Sequence, residues 1–157
     1  MTFTKSAAVM MTLMMAAGSA WAAQSVSESL PIGPGGEVEI EVLSGTLTIE
    51  AWGQNMVEVT GTLGDGVEDL EIEGDEDGVY IEVEYDEHYH GKQSIDTNLT
   101  VRMPAGASLN VETVSAAVLA SGINGELDVE TVSGNIEISG SQTRVIAESV
   151  SGRIELS

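Results

Sequence analysis

Val111-Glu-Thr-Val-Ser-Ala116 returns as Val129-Glu-Thr-Val-Ser-Gly134 and again as Ala147-Glu-Ser-Val-Ser-Gly152, at a spacing of 18 residues both times. Written over one another, the copies form columns. Leu109, Leu127 and Val145 align, as do Val111, Val129 and Ala147. So do Val118, Ile136 and Ile154, and Ala120, Ile138 and Leu156. Thr113, Thr131 and Ser149 make a hydroxyl column, and Ser115, Ser133 and Ser151 a second. A diverged copy runs from Leu43 through Ser44-Gly45 to Ile49. A strict period with columns of like residues marks a repeat architecture. Eighteen residues are too few for a helix pair. They suit one coil of a β-helix: a strand of ~5 residues, a Ser-Gly corner, a second strand and a return turn. Stacked coils lie ~4.8 Å apart. The corner glycine tolerates positive φ, and Ala116 in its place should give a gentler corner. Successive hairpins in a sandwich or meander are the alternative, but they have no reason to keep columns in register. The fold expected is all-β, a single-chain β-helix or solenoid with regular rungs over 107–157.

Upstream, apolar and polar residues alternate with period two. The runs are Val38-Glu-Ile40-Glu-Val42, Leu47-Thr-Ile49, Val57-Glu-Val59, Leu70-Glu-Ile72, Val79-Tyr-Ile81-Glu-Val83 and Leu99-Thr-Val101-Arg-Met103. Gly, Asp, Asn or Pro bounds each one, so 37–103 reads as less regular strands of the same domain. Many outward positions are Glu. Each strand then has one dry and one wet face, and the charge opposes edge-to-edge aggregation.

The first 22 residues read as an address. Lys5 is their only charge, and Ser6–Ala17 is an apolar run too short for the ~20 residues a membrane span needs. Ala20-Trp21-Ala22 is a small-x-small cleavage site, which predicts removal of residues 1–22 as a signal peptide and a domain over 23–157. Nothing after the cut is long and apolar enough to anchor in a membrane. Export to the periplasm, cell surface or medium is the expectation.

The chain holds 26 Asp+Glu against five Lys+Arg, for a net charge of −21. Such a molecule repels phosphate backbones, so no nucleic-acid partner is expected. It has no Cys, which removes disulfides, thiolate zinc sites and a Cys nucleophile. No G-x-S-x-G elbow, H-E-x-x-H or Walker loop is present; Gly91-Lys92 is followed by Gln93. Both His fall in His88-Tyr89-His90, which leaves little for a Ser-His-Asp site. Polysaccharide-cleaving enzymes also use β-helices and form the rival class. Uronate handling needs cations, of which Lys92, Arg102, Arg144 and Arg153 remain after residue 22, and Trp52, Tyr80, Tyr85 and Tyr89 are too scattered for a sugar groove. No catalytic residue and no cofactor are assigned.

With the TVSG-type tandem units, the segments Gly35–Gly74 and Leu99–Ser115 make the stretch from Leu30 to Leu156 resemble the bacterial putative-adhesin family of exported β-strand-repeat proteins. The resemblance implies the repeat fold, export and a binding or structural role. It carries no catalytic set, since the family name rests on architecture. Family domains commonly run to further rungs than this sequence contains.

Three acidic or His-bearing features are candidate cation sites. Glu73-Gly-Asp75-Glu-Asp77-Gly78 followed by Glu84 nearly fits an EF-hand loop, but both flanks alternate as strands, so an acidic hairpin turn with loose Ca²⁺ affinity is the better reading. His88 and His90 share one side of an extended chain near Asp86. Glu112, Glu130 and Glu148 form a column, with Glu137 over Glu155 beside it. At ~4.8 Å, unit charges repel by about 0.9 kcal/mol per pair in bulk water, which divalent cations relieve. Asp75, Asp77, Glu112, Glu130 and Glu148 are thus the metal candidates, with weak Ca²⁺ as the only ion. Glu126 should pair with Arg144 across coils. The function expected is a non-enzymatic envelope or surface module binding an envelope protein or a glycan. Copies should also associate end to end through Ile154 and Leu156 once salt screens their charge.

Overall fold

The computed structural model describes residues 24–85 and 94–157. The predicted signal segment and the His88-Tyr89-His90 tripeptide lie outside the described residues. Thirteen strands are present, with no helix among the described residues: β1 (Gln24–Pro31), β2 (Glu37–Val42), β3 (Gly45–Trp52), β4 (Met56–Leu63), β5 (Val67–Gly74), β6 (Gly78–Tyr85), β7 (Thr97–Pro104), β8 (Ser108–Thr113), β9 (Ala117–Ser121), β10 (Leu127–Thr131), β11 (Ile136–Ser139), β12 (Val145–Ser149) and β13 (Ile154–Leu156). The all-β class expected from the alternation is the class observed. The alternation also runs through Gln24–Pro31, where Val26 and Leu30 are buried, but Glu28 at the inward position between them breaks it.

The strands form a seven-stranded sheet in the order β1-β4-β7-β3-β9-β11-β13 and a six-stranded sheet in the order β12-β10-β8-β2-β6-β5. From β8 onward the chain enters the two sheets alternately. Each sheet keeps two edge strands, so neither closes on itself. Inward residues of both contribute to one apolar cluster.

The repeat columns are register partners in parallel pairs. Leu127 pairs with Leu109 and Val145, Val129 with Val111 and Ala147, Ile136 with Val118 and Ile154, and Ile138 with Ala120 and Leu156. The diverged copy joins the same stack, with Leu47 beside Val118 and Ile49 beside Ala120, and just upstream of it Ile40 lies beside Val111. Its other neighbours come from later in the chain, with Ile81 beside Ile40 and Leu99 beside Leu47. The inward hydroxyl column is bonded at its Thr113–Thr131 step, while Ser149 Oγ donates to the Gly134 carbonyl. Thr113 Oγ1 donates to Thr131 Oγ1 at 2.9 Å, and both residues are buried. The outer column, Ser115, Ser133 and Ser151, donates backbone N–H to Leu43, Val114 and Val132 carbonyls.

The corner glycines Gly134 and Gly152 do not have positive φ; Gly122 (φ 73°) and Gly140 (φ 66°), at the return turns, do. What holds Gly134 and Gly152 to glycine is close stacking, because a Cβ there would collide with the carbonyl oxygens of Ala116 and Gly134. Two expectations need correction. Glu137 and Glu155 belong to the seven-stranded sheet, not beside the Glu112 column in the six-stranded one. Glu126 and Arg144 form no ion pair among the described residues; the bond between their coils there is backbone, the Leu127 N–H donating to the Arg144 carbonyl. Among the described residues the ion pairs are Arg102 with Glu50 and Glu58, and Arg153 with Glu155. Arg144 stays exposed because a stacked column sets backbone position, while two solvated side chains gain little by meeting.

Candidate functional site

In Glu37-Val-Glu-Ile-Glu-Val42 the period of two sends Val38, Ile40 and Val42 into the core and leaves Glu37, Glu39 and Glu41 outside. The same alternation in β5, β6, β8, β10 and β12 sets one glutamate of each at a common level. Glu71 pairs with Glu82, Glu82 with Glu41, Glu41 with Glu112, Glu112 with Glu130 and Glu130 with Glu148. The result is an unbroken row of six carboxylates across the whole six-stranded sheet. At ~4.8 Å per strand it extends over about 24 Å.

The repeat exposes only half of this row. Glu112, Glu130 and Glu148 are brought together as the spacing predicts, whereas Glu41, Glu82 and Glu71 come from strands outside the period. A signal for Glu41 was there: aligning Ser44-Gly45 with Ser115-Ala116 places it over Glu112. Asp75 and Asp77 are not part of the row. They lie in the β5–β6 turn, at the end where β6 begins, with Glu82 further along that strand. There the Asp75 carboxylate accepts the N–H groups of Asp77 and Gly78 at 2.9 and 3.3 Å and serves as a turn cap. Among the described residues no three Asp, Glu or His side chains converge to hold a metal ion.

Charge crowding is visible in two groups. The Glu71 carboxyl is raised above the ordinary carboxylate range, first by Glu73, then by partial desolvation and by Glu84, Glu82 and Asp69. The Tyr80 hydroxyl donates to Glu82 Oε2 at 2.9 Å, and that bond, desolvation and the nearby Glu41 hold its proton well above the usual phenol range.

Beside the row runs an apolar ledge. Two residues after each glutamate of the repeats comes a valine: Val114, Val132 and Val150, which are 45%, 49% and 83% exposed. They sit at corners, where the chain leaves one sheet for the other and a side chain has no opposite face to enter. Glutamates and valines together line a groove of about 600 Å³, completed by Leu43 and Tyr85. The Tyr85 hydroxyl accepts the Leu43 N–H at 2.9 Å, fixing the ring. Trp52 is elsewhere, its Nε1 donating to the Met56 carbonyl at 2.8 Å.

No family model matches this chain, and no curated protein does. Among solved structures, a putative cell adhesion protein from Clostridium sporogenes superposes with a TM-score of 0.54 at 10% identity, over 80% of this chain and 68% of that one. A putative adhesin from Parabacteroides distasonis gives 0.42 at 18% identity, over 85% and 65%. The first likeness shows a shared fold. No helix among the described residues is long and apolar enough to cross a membrane.

Proposed function

We propose that this chain is a non-enzymatic, exported module of the cell envelope, a β-solenoid domain over 23–157 with regular 18-residue rungs over 107–157 and irregular strands over 37–103, that binds a partner through the outer face of its six-stranded sheet. Residues 1–22 are its cleaved signal peptide, and the periplasm or cell surface its location. The observation that carries the reading is the row of six glutamates alongside exposed valines: one continuous, ordered face that the core does not need. Contiguous exposed apolar side chains rimmed by charge mark interaction surfaces. The fold shared with a protein named for cell adhesion supports the same direction.

Site-specific photo-crosslinking in the source cells tests it. A crosslinker at Val132 should capture a discrete envelope protein or glycan, and one at Leu119, exposed on the other sheet, should not. Equal or absent capture from both positions overturns the binding-face reading. Release of reducing ends from a polysaccharide panel would instead establish the β-helix enzyme. N-terminal sequencing of exported protein should begin at Ala23.

A further inference from the structure

We propose that the groove between the glutamate row and the valine ledge receives an extended, cationic segment of a partner protein, with Lys or Arg alternating with aliphatic side chains. This rests on the reading of that sheet as a binding face and names its partner. The shape of the groove sets the first condition. Glu112, Glu130 and Glu148 are each followed, two residues on, by Val114, Val132 and Val150, and both sets line the groove. An extended chain laid along it presents side chains alternately to either side. One side meets carboxylates and the other meets valines.

The backbone sets the second condition. The Val114 and Val132 carbonyls already accept N–H groups from Ser133 and Ser151. These corners therefore offer side chains rather than a free strand edge, and recognition follows charge and apolar contact.

Charge decides the occupant. Of the described cations, Arg102 is bound to Glu50 and Glu58 and Arg153 to Glu155, and Arg144 precedes β12 at the strand end away from Glu148. None of the three lines the groove. Phosphate polymers and uronates are repelled by such a row. A sugar platform needs aromatic faces, and among the described residues Tyr85 is the one aromatic residue lining the groove. A bare divalent ion finds no converging triad among the described residues. A Lys or Arg side chain suits both halves, since its methylene stem covers apolar surface while its head reaches a carboxylate. Same-side residues of an extended chain repeat every ~6.7 Å, so about four cations fit the ~19 Å from Glu82 to Glu148 that lines the groove, with long side chains absorbing the mismatch.

The test uses fluorescence anisotropy with the full chain and three labelled octapeptides: (Lys-Val)₄, (Lys-Ser)₄ and (Glu-Val)₄. (Lys-Val)₄ should bind about tenfold tighter than (Lys-Ser)₄, and (Glu-Val)₄ not at all. Val132→Ser with Val150→Ser, which leaves Val114 and Leu43 in place, should shrink the difference between the two cationic peptides severalfold. Both substituted residues are exposed, and an unchanged circular dichroism melt verifies that the variant is folded. Glu112→Gln with Glu130→Gln should weaken both cationic peptides and flatten their salt dependence. Equal affinity for the two cationic peptides, or indifference to the valine changes, overturns the proposal in favour of diffuse charge attraction. Displacement of (Lys-Val)₄ by Ca²⁺, beyond that by ionic-strength-matched NaCl, overturns it in favour of a metal-binding row. If neither cationic peptide binds while Val132 still crosslinks a partner in cells, the binding face stands and the cationic partner falls.

Discussion

From Ser108 to Leu156, order in the chain is order in space: β8 and β9, then β10 and β11, then β12 and β13, each unit on the one before. Between Gln24 and Pro104 it is not. There β6 and β7 lie beyond β2 and β3, β4 and β1 pair antiparallel outside β7, and β5 pairs antiparallel outside β6. Yet the inward columns continue across the seam, with Ile81, Ile40, Val111 and Val129 all fully buried at one level. The difference teaches that the columns do not need the repeat. Any strand with the right alternation and a corner at the right place can extend the stack. A tandem period merely makes the next unit the nearest available partner.

Burial differs along the stack as well. In one column Val118 is 0%, Ile136 1% and Ile154 39% exposed. The same substitution down that column should therefore cost very different amounts. Ile136→Asp should destabilise by more than ~3 kcal/mol through an unpaired buried charge, and Ile154→Asp by under ~1.5 kcal/mol. Glu137→Ala, one residue along and outward, should be nearly silent. Chemical denaturation measures all three, and equal losses at 136 and 154 would break the comparison.

Next in size is the corner. Gly134→Ala must push the chain off the Ala116 carbonyl and should cost more than ~1 kcal/mol, whereas Gly53→Ala, with open space around it, should be neutral. A neutral Gly134→Ala would mean that rungs in the regular half are looser than their register implies.

A smaller effect separates the halves electrostatically. Glu71 is crowded by Glu73, Glu84, Glu82 and Asp69, all from β5 and β6 in the irregular half. Its folded-state pKa is raised, so the folded chain holds that proton more tightly than the unfolded one. Stability is then lowered in full above the raised value, and recovers as pH falls through it toward the ordinary 4.5. Glu71→Gln should raise the melting temperature at pH 7 and lose that advantage near pH 4.5. A gain that is the same at both values would assign the effect to something other than charge.

The weakest expected effect is association. Ile154 and Leu156, on an edge strand, are 39% and 60% exposed. Light scattering should find a monomer at low salt whose mass rises as NaCl screens the repulsion between copies. A mass unchanged from low to high salt removes self-association through these residues.

The candidate face was half legible in the same way as the fold. Glu112, Glu130 and Glu148 stand in a column because their repeats do. Glu41 needed the diverged copy extended upstream, and Glu82 and Glu71 needed to be known as neighbours of β2, which no local pattern states. The predicted signal segment and the His88–His90 tripeptide are readable as motifs and lie outside the described residues.

By itself the sequence determined the β class, the 18-residue register and which residues point inward, because side-chain direction alternates along any extended strand and a repeated pattern can stack on itself without further information. Only the tertiary structure decided that β6 and β7 insert beside β2 and β3, that six glutamates rather than three share a row, and that the corner glycines Gly134 and Gly152 answer to a neighbouring carbonyl instead of to their own φ. Each of these depends on which distant strand lies alongside, and pairing between strands tens of residues apart is settled by core packing across two sheets, not by the composition of either strand.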